Sequence, residues 1–304
     1  MSKWWVYQKE RFPIIQYLPM ITAFAFCGMS FSMHLNNQYA QLSDINIIHL
    51  ITAATVAICM FMLMRIADEH KDFEEDSQFR PYRPVQRGLV TLKELRVIGI
   101  ILVFVQIVLS GWIDLRLIVL LALVYIWFTL MTLEFGVPKW LKAHPSLYLA
   151  SHMVILAFIN LYITAVEWLP RGGAFNFGLL AYMVSSYCDG TVVEVGRKLR
   201  AKENEEYGVD TYTHIWGSKR AIVVWMVFLT TSLASTGWVG FQIGVGYQIL
   251  IVLSPLYIFA AFMSLRFARN PSPKNAKVFE IFPGVWMLLM YVLLGILPFF
   301  QNRF

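Results

Sequence analysis

Residues 45–84 read INIIHLITAATVAICMFMLMRIADEHKDFEEDSQFRPYRP, and this stretch decides the fold. Residues 45–64 carry no Asp, Glu, Lys or Arg, a run long enough to cross a bilayer as a helix. Immediately after it comes Asp68-Glu69-His70-Lys71-Asp72-Phe73-Glu74-Glu75-Asp76, then Arg80-Pro81-Tyr82-Arg83-Pro84. Asp68, Asp72 and Asp76 are spaced i, i+4, i+8. If the helix continues past Met64, each carboxylate is turned only about 40° from the last, so all three share one face. Like charges at that spacing repel and destabilise a helix. Their placement makes sense if a divalent cation sits among them, with the arginines behind them ready for an anion. The stretch outlines a metal-diphosphate site at a membrane edge.

The rest of the chain agrees. Charged residues make up 14% and hydrophobic residues 58% of it, against about a quarter charged in a soluble domain, and mean hydropathy is +0.59. Charge-poor runs predict a single all-α membrane domain over 1–304. Its nine transmembrane helices lie near 13–33, 45–66, 97–113, 117–134, 145–166, 173–188, 220–239, 244–265 and 280–300. The run 221–265 is long enough for two crossings, with a reversal at 240–246. Loops 67–96 and 189–219 are the two caps. With the amino-terminus inside, 22 of the 25 Lys and Arg fall on one side, so the positive-inside rule makes that side cytoplasmic. The carboxy-terminus then lies opposite. The net charge of +6 follows from this bias and calls for no nucleic-acid partner; the bilayer is the partner. Residues 1–11 read as an interfacial lead-in rather than a cleaved signal. Cys27, Cys59 and Cys188 fall in or at the ends of spans and form no metal or disulfide framework.

Of the 19 acidic residues, 13 lie in 68–94 and 189–210. These segments follow spans 2 and 6, a four-helix offset that suggests two related halves. Thr91-Leu92-Lys93-Glu94 has the spacing of a capping box opening a new helix. Both loops are long for simple connectors and read as small folded caps over one mouth of the bundle.

Asp68-x3-Asp72-x3-Asp76, then Arg80-Pro81-x-Arg83-Pro84 and Gly88-Leu89, resembles the first aspartate-rich motif of the UbiA superfamily of intramembrane prenyltransferases. That family's pattern is N-x3-D-x3-D followed by a basic residue, Pro and an Arg-Pro pair; Asp68 stands where Asn is usual. The resemblance implies a UbiA-like bundle, two Mg²⁺ ions held by the two acidic loops, and an isoprenyl diphosphate bridging them. Mg²⁺ takes oxygen ligands, commonly one or two carboxylates plus substrate phosphates. On this reading Asp68, Asp72 and Asp76 are metal ligands, and Arg80, Arg83 and Arg87 bond the departing diphosphate.

The second motif departs from the family's D-x3-D. The segment reads Asp189-Gly190-Thr191-Val192-Val193-Glu194-Val195-Gly196-Arg197-Lys198, with Val193 four after Asp189 and Lys198 four after Glu194. Asp189 and Glu194 are then expected to supply metal oxygens. Arg197 and Lys198, with Arg200 as a further candidate, are expected to touch phosphate directly. Pro138-x-x-Leu141-Lys142 resembles a family position where Lys reaches the diphosphate, with Lys139 as runner-up. Arg11-x-Pro13 resembles the family's basic start to its first helix, or is an interfacial anchor. Glu134, at the end of span 4 without a local partner, is a candidate acid or base. His152 is an ionisable group inside a span, which is a functional hypothesis by default; a neutral His bonded to a neighbouring helix is the alternative.

Three functions fit. The first is prenyl transfer, in which an isoprenyl diphosphate ionises and a hydrophobic acceptor, aromatic or lipid-like, captures the cation. The second is a UbiA-type terpene cyclase, in which the same cation attacks its own double bonds. The third is a cation transporter, disfavoured because transporters hold ions near the midplane and the neighbouring arginines repel a free cation. Transfer is favoured narrowly over cyclisation.

Overall fold

The computed structural model describes residues 2–37 and 40–303, and among them every regular element is helical. In chain order the helices are α1 (Lys3–Arg11), α2 (Ile14–Asn36), α3 (Ile47–Lys71), α4 (Phe73–Phe79), α5 (Leu92–Ile113), α6 (Arg116–Thr132), α7 (Pro138–Lys142), α8 (Pro145–Trp168), α9 (Gly178–Arg197), α10 (Tyr212–Gln242), α11 (Gly246–Arg269) and α12 (Pro273–Ile296). Local chemistry sets their ends. Asn46 caps α3 by accepting from the backbone of Ile48 and His49. The capping box expected at Thr91 forms, with Glu94 N donating to Thr91 Oγ1 at 3.2 Å and Thr91 N donating to Glu94 Oε2 at 2.9 Å. Thr211 caps α10 through His214 N. Gly217 in α10 has φ +74°, a conformation that suits glycine, so one short turn precedes the long span.

Seven of these helices, α2, α3, α5, α8, α10, α11 and α12, are long and apolar enough to cross a membrane. The other two places where spans were expected hold α6, at 17 residues, and α9, which is interrupted by Ser185, Ser186, Asp189 and Glu194. The second cap is shorter than expected. Helix α9 does not stop at Asp189 but runs on to Arg197, because Val192, Val195 and Gly196 keep a buried face there. Large apolar side chains such as Ile100, Phe104, Val119, Ile258 and Phe262 point outward, as lipid contact requires. The chain is an integral membrane protein.

Each long helix packs on the next, and α12 returns to α2, closing a ring. Ser30 Oγ donates to the Gly295 carbonyl at 2.7 Å across that closure. Helix α8 also contacts α2 and α3, and α9 contacts α12. Close approach is needed where α9 meets α8: a Cβ on Gly190 would lie 1.8 Å from Leu156 Cδ1. The charged ends of α3 and α9 and the helices α1 and α4 gather at one mouth of the ring. There Phe79 of α4 meets the ring of Tyr207 edge-on at 5.8 Å, so the two caps touch.

Candidate functional site

The site is built on the junction of α3 and α4. Asp72 caps α3 with φ −94° and ψ 9° and breaks the helix between Lys71 and Phe73. The three carboxylates expected on one continuous face therefore have different surroundings. Asp68 is partly exposed, and its carboxylate pairs with Arg65 at 3.4 Å. Asp72 makes backbone bonds to Asp68 and from Asp76, and no described residue pairs with its carboxylate. Asp76 is buried and held by Arg80 at 2.8 Å and by Arg83.

The arginines of the motif have partners of their own. A buried carboxylate needs paired charge to be tolerated, and Arg80 and Arg83 supply it to Asp76. Burial and the neighbouring Arg11 draw the Arg83 guanidinium below the ordinary arginine range, against the pull of Asp76. Arg87 forks onto Glu10 of α1 at 2.8 and 3.0 Å and also donates to the Tyr82 carbonyl. Arg11 pairs with Glu69, a fully buried carboxylate that sequence reasoning passed over. Helix α1 is thus tied to the first cap by Arg87, by Arg11 and by the Lys3–Glu94 pair.

On α9 the two acids expected to share a metal part company. Asp189 is fully buried inside the bundle, where Ser232 Oγ donates to it at 2.5 Å and Trp286 Nε1 donates to Ser232 at 3.0 Å. Glu194 lies five residues on, about 140° further round the helix, and faces the mouth. It pairs with Arg197 at 2.6 Å and Lys198 at 3.0 Å. Arg197 is also within electrostatic reach of Asp68, which sets the end of α9 against the end of α3. Lys198 lies over the Tyr212 ring at 5.5 Å. Arg200 turns away to Glu206 at 2.9 Å. Lys142, on α7, is exposed and 3.7 Å from Glu75.

A second charged group adjoins the motif. Lys71 donates to Tyr148 Oη at 2.8 Å and lies 3.3 Å from Glu134. Glu134, without a partner in the local sequence, finds one 63 positions earlier in the chain. Glu134 and Phe135 have φ +49° and +54°. For residues with a Cβ this left-handed backbone costs roughly 1–2 kcal/mol each. The turn holds Glu134 buried and sets Phe135 edge-on to His152 at 6.3 Å. His152 stacks on Tyr148 at 3.9 Å, and its Nδ1 donates to the Tyr148 carbonyl at 2.9 Å. Its Nε2 is turned to the buried side, with the Met131 backbone near the ring. Asp68, Lys71, Phe128, Met131, Tyr148 and His152 line a cavity of about 40 Å³.

Among the described residues no three His, Cys, Asp or Glu side chains gather into a ready-made metal cluster. Asp72 has no carboxylate partner among the described residues and Asp68 has the 3.4 Å contact with Arg65, and two carboxylates suffice for a divalent cation that takes its other ligands from water and phosphate. The donor set fits that ion. The three cysteines are buried and free.

Comparison with known proteins agrees with this architecture. The pattern of the UbiA prenyltransferase family matches residues 38–290. Digeranylgeranylglyceryl phosphate synthase of Thermococcus sibiricus is 25% identical over 214 residues, covering 69% of this chain and 71% of that protein. The apo structure of a UbiA homologue from Aeropyrum pernix K1 superposes with a TM-score of 0.71 at 13% identity, over 93% of this chain and 98% of the other. A UbiA homologue from Archaeoglobus fulgidus bound to GPP and Mg²⁺ has a TM-score of 0.53 at 11% identity, over 92% and 99%. At such low identity these two structures establish the fold.

Proposed function

The chain belongs to the UbiA prenyltransferase family and is a prenyltransferase, and from that premise we propose that it ionises an isoprenyl diphosphate with Mg²⁺ and passes the prenyl cation to a hydrophobic acceptor, aromatic or lipid-like. The observation that carries this reading is the Asp68 and Asp72 carboxylates at the mouth of the ring, Asp72 without a partner among the described residues and Asp68 between Arg65 and Arg197. The homologue from Archaeoglobus fulgidus that holds GPP and Mg²⁺ supports the donor class. The Thermococcus sibiricus relative, by its name a synthase of a glyceryl phosphate, supports a lipid-like acceptor. We place the mouth on the cytoplasmic side, from the distribution of Lys and Arg.

Asp68 and Asp72 would hold Mg²⁺, which when bound neutralises the diphosphate so that the allylic C–O bond can ionise. Arg197 and Lys198 exchange their partner Glu194 for phosphate oxygens, a charge-assisted bond of equal kind. With Asp189 buried away from the mouth, these two cations do part of the work of a second metal, so one ion fits better than two. Arg80 and Arg83 stand behind the site, bound to Asp76. Met64, Phe128 and Met131 exclude water from the cation.

The experiment is turnover of C10, C15 and C20 diphosphates by purified protein with Mg²⁺, with and without a phenolic or glyceryl phosphate acceptor. A prenylated acceptor with equimolar diphosphate is the expected result. Cyclic hydrocarbon as the main product would replace transfer by cyclisation. No diphosphate released from any donor would overturn both.

A further inference from the structure

Asp189 is the carboxylate that prenyl transfer leaves without a task. It stands eight residues before Arg197 and eleven after Gly178 on α9. At 1.5 Å per residue that is about 12 Å from the mouth and about 16 Å from the other end of the helix, near the middle of a hydrocarbon core about 30 Å thick. An ionisable group at that depth is costly and marks function by default.

Its surroundings form two rungs, one helical turn apart. Ser185 and Asp189 are i, i+4 on α9, Ser232 and Thr236 are i, i+4 on α10, and Trp286 and Met290 are i, i+4 on α12. In the first rung the Ser232 hydroxyl donates to Asp189 Oδ1 at 2.5 Å and accepts from Trp286 Nε1 at 3.0 Å. In the second, Ser185 and Thr236 share a hydrogen bond at 2.7 Å, and both reach Met290 Sδ, at 3.6 and 3.2 Å. Asp189 facing Ser232 and Ser185 facing Thr236 is the order that antiparallel helices give. All six side chains are 0% exposed.

The rungs do not balance in charge. The Ser185 hydroxyl and the Trp286 indole also stand beside the Asp189 carboxylate, which has no ion-pair partner among the described residues. Its Oδ2 closes no hydrogen bond among them. A buried charge is paired or coordinates a metal. A thioether accepts but does not donate, so Met290 draws a hydroxyl proton from the second rung and frees oxygen lone pairs there. The rungs thus offer one carboxylate and three hydroxyl oxygens, an oxygen-only donor set of the kind hard cations take. One carboxylate balances one positive charge. Mg²⁺ keeps several waters and does not suit rungs closed to solvent.

We propose that Asp189, Ser185, Ser232 and Thr236 form an intramembrane site for a small monovalent cation, Na⁺, separate from the diphosphate site at the mouth. The ion ties α9 to α10 about two turns from the end that carries Arg197 and Lys198. It is a structural ion, and the reaction does not consume it.

The test is thermal unfolding of the full-length protein in nanodiscs, in Mg²⁺-free buffer of constant ionic strength, as Na⁺ replaces choline. The melting temperature should rise saturably with Na⁺, by about 5 °C at the plateau. Asp189→Asn should abolish this response. Thr236→Val, on the facing helix, should raise the Na⁺ concentration for half the effect by about tenfold. Ser30→Ala removes a buried hydroxyl at the α2–α12 closure and should keep the wild-type response. If Asp189→Asn does not fold, the contrast between Thr236→Val and Ser30→Ala decides. A rise that never saturates overturns the proposal, as does a wild-type response in folded Asp189→Asn or in Thr236→Val. No rise in the wild type means that the carboxyl holds a proton instead, and overturns it too. No diphosphate is present, so the outcome is independent of the prenyl-transfer reading.

Discussion

The Asp76 carboxylate accepts from the Arg80 guanidinium at 2.8 Å, and Arg83 closes on its other oxygen. The pair lies four residues past Asp72, whose own carboxylate no described residue engages. Two aspartates of one motif therefore have opposite surroundings. Asp76→Ala should destabilise the protein by about 3–5 kcal/mol, because it strands buried guanidinium charge. Asp72→Ala should leave the melting temperature in detergent unchanged and remove turnover. Thermal unfolding and diphosphate release, measured on both variants, separate the roles; a stable Asp76→Ala protein would return that residue to the metal.

Asp189 gives the sharpest contrast with the sequence expectation. Bonded to Ser232 in the bundle interior, it should accept replacement by Asn with turnover kept within about tenfold, since Asn retains an acceptor for that hydroxyl. The Mg²⁺ concentration for half-maximal rate should not move. A large shift in that concentration would place Asp189 on the ion after all.

Arg197 and Lys198 are predicted to act on the diphosphate rather than on the cation. Lys198→Ala and Arg197→Ala should each raise KM for the donor by about tenfold to a hundredfold, the value of one charge-assisted hydrogen bond of about 1.5–3 kcal/mol. Their Mg²⁺ dependence should stay close to wild type. A change in Mg²⁺ dependence without a change in donor KM would show that Glu194, freed of its partners, governs the metal instead.

The contact between the caps rests on Gly208. Its φ is +75°, and an added Cβ would come within 2.4 Å of the Phe79 ring. Gly208→Ala should cost about 1 kcal/mol or more of local stability and loosen the segment 198–211. Limited proteolysis reads this directly: faster cleavage in that segment is expected, and an unchanged digestion pattern would mean the caps do not support each other.

How much of this was legible beforehand depended on range along the chain. The bundle was readable because charge-free runs end where the spans do, and the turn of α3 from Asp68 to Asp72 because a four-residue spacing is a helix property. The capping box at Thr91 is local in the same sense. Asp189 was misplaced because the span was ended at its charge, whereas the helix follows the apolar face of Val192 and Val195 onward. Lys71 with Tyr148, Arg11 with Glu69 and Arg87 with Glu10 join residues 58 to 77 positions apart. No spacing rule reaches that far. The only local hint was Glu134, a carboxylate with no neighbour of opposite charge, which had to find one in space.

The Ser30–Gly295 bond closes the ring between residues 265 positions apart. Ser30 and His34 of α2 are buried in the finished protein, yet α2 is made well before its neighbour α12. Through most of synthesis a polar stripe on the first long helix waits in a membrane that offers it little to bond. The contact between α2 and α12 can form only after α12 has been made. A ribosome stalled before residue 273 would leave a bundle with an open seam beside α2, whatever the quality of the helices already in place.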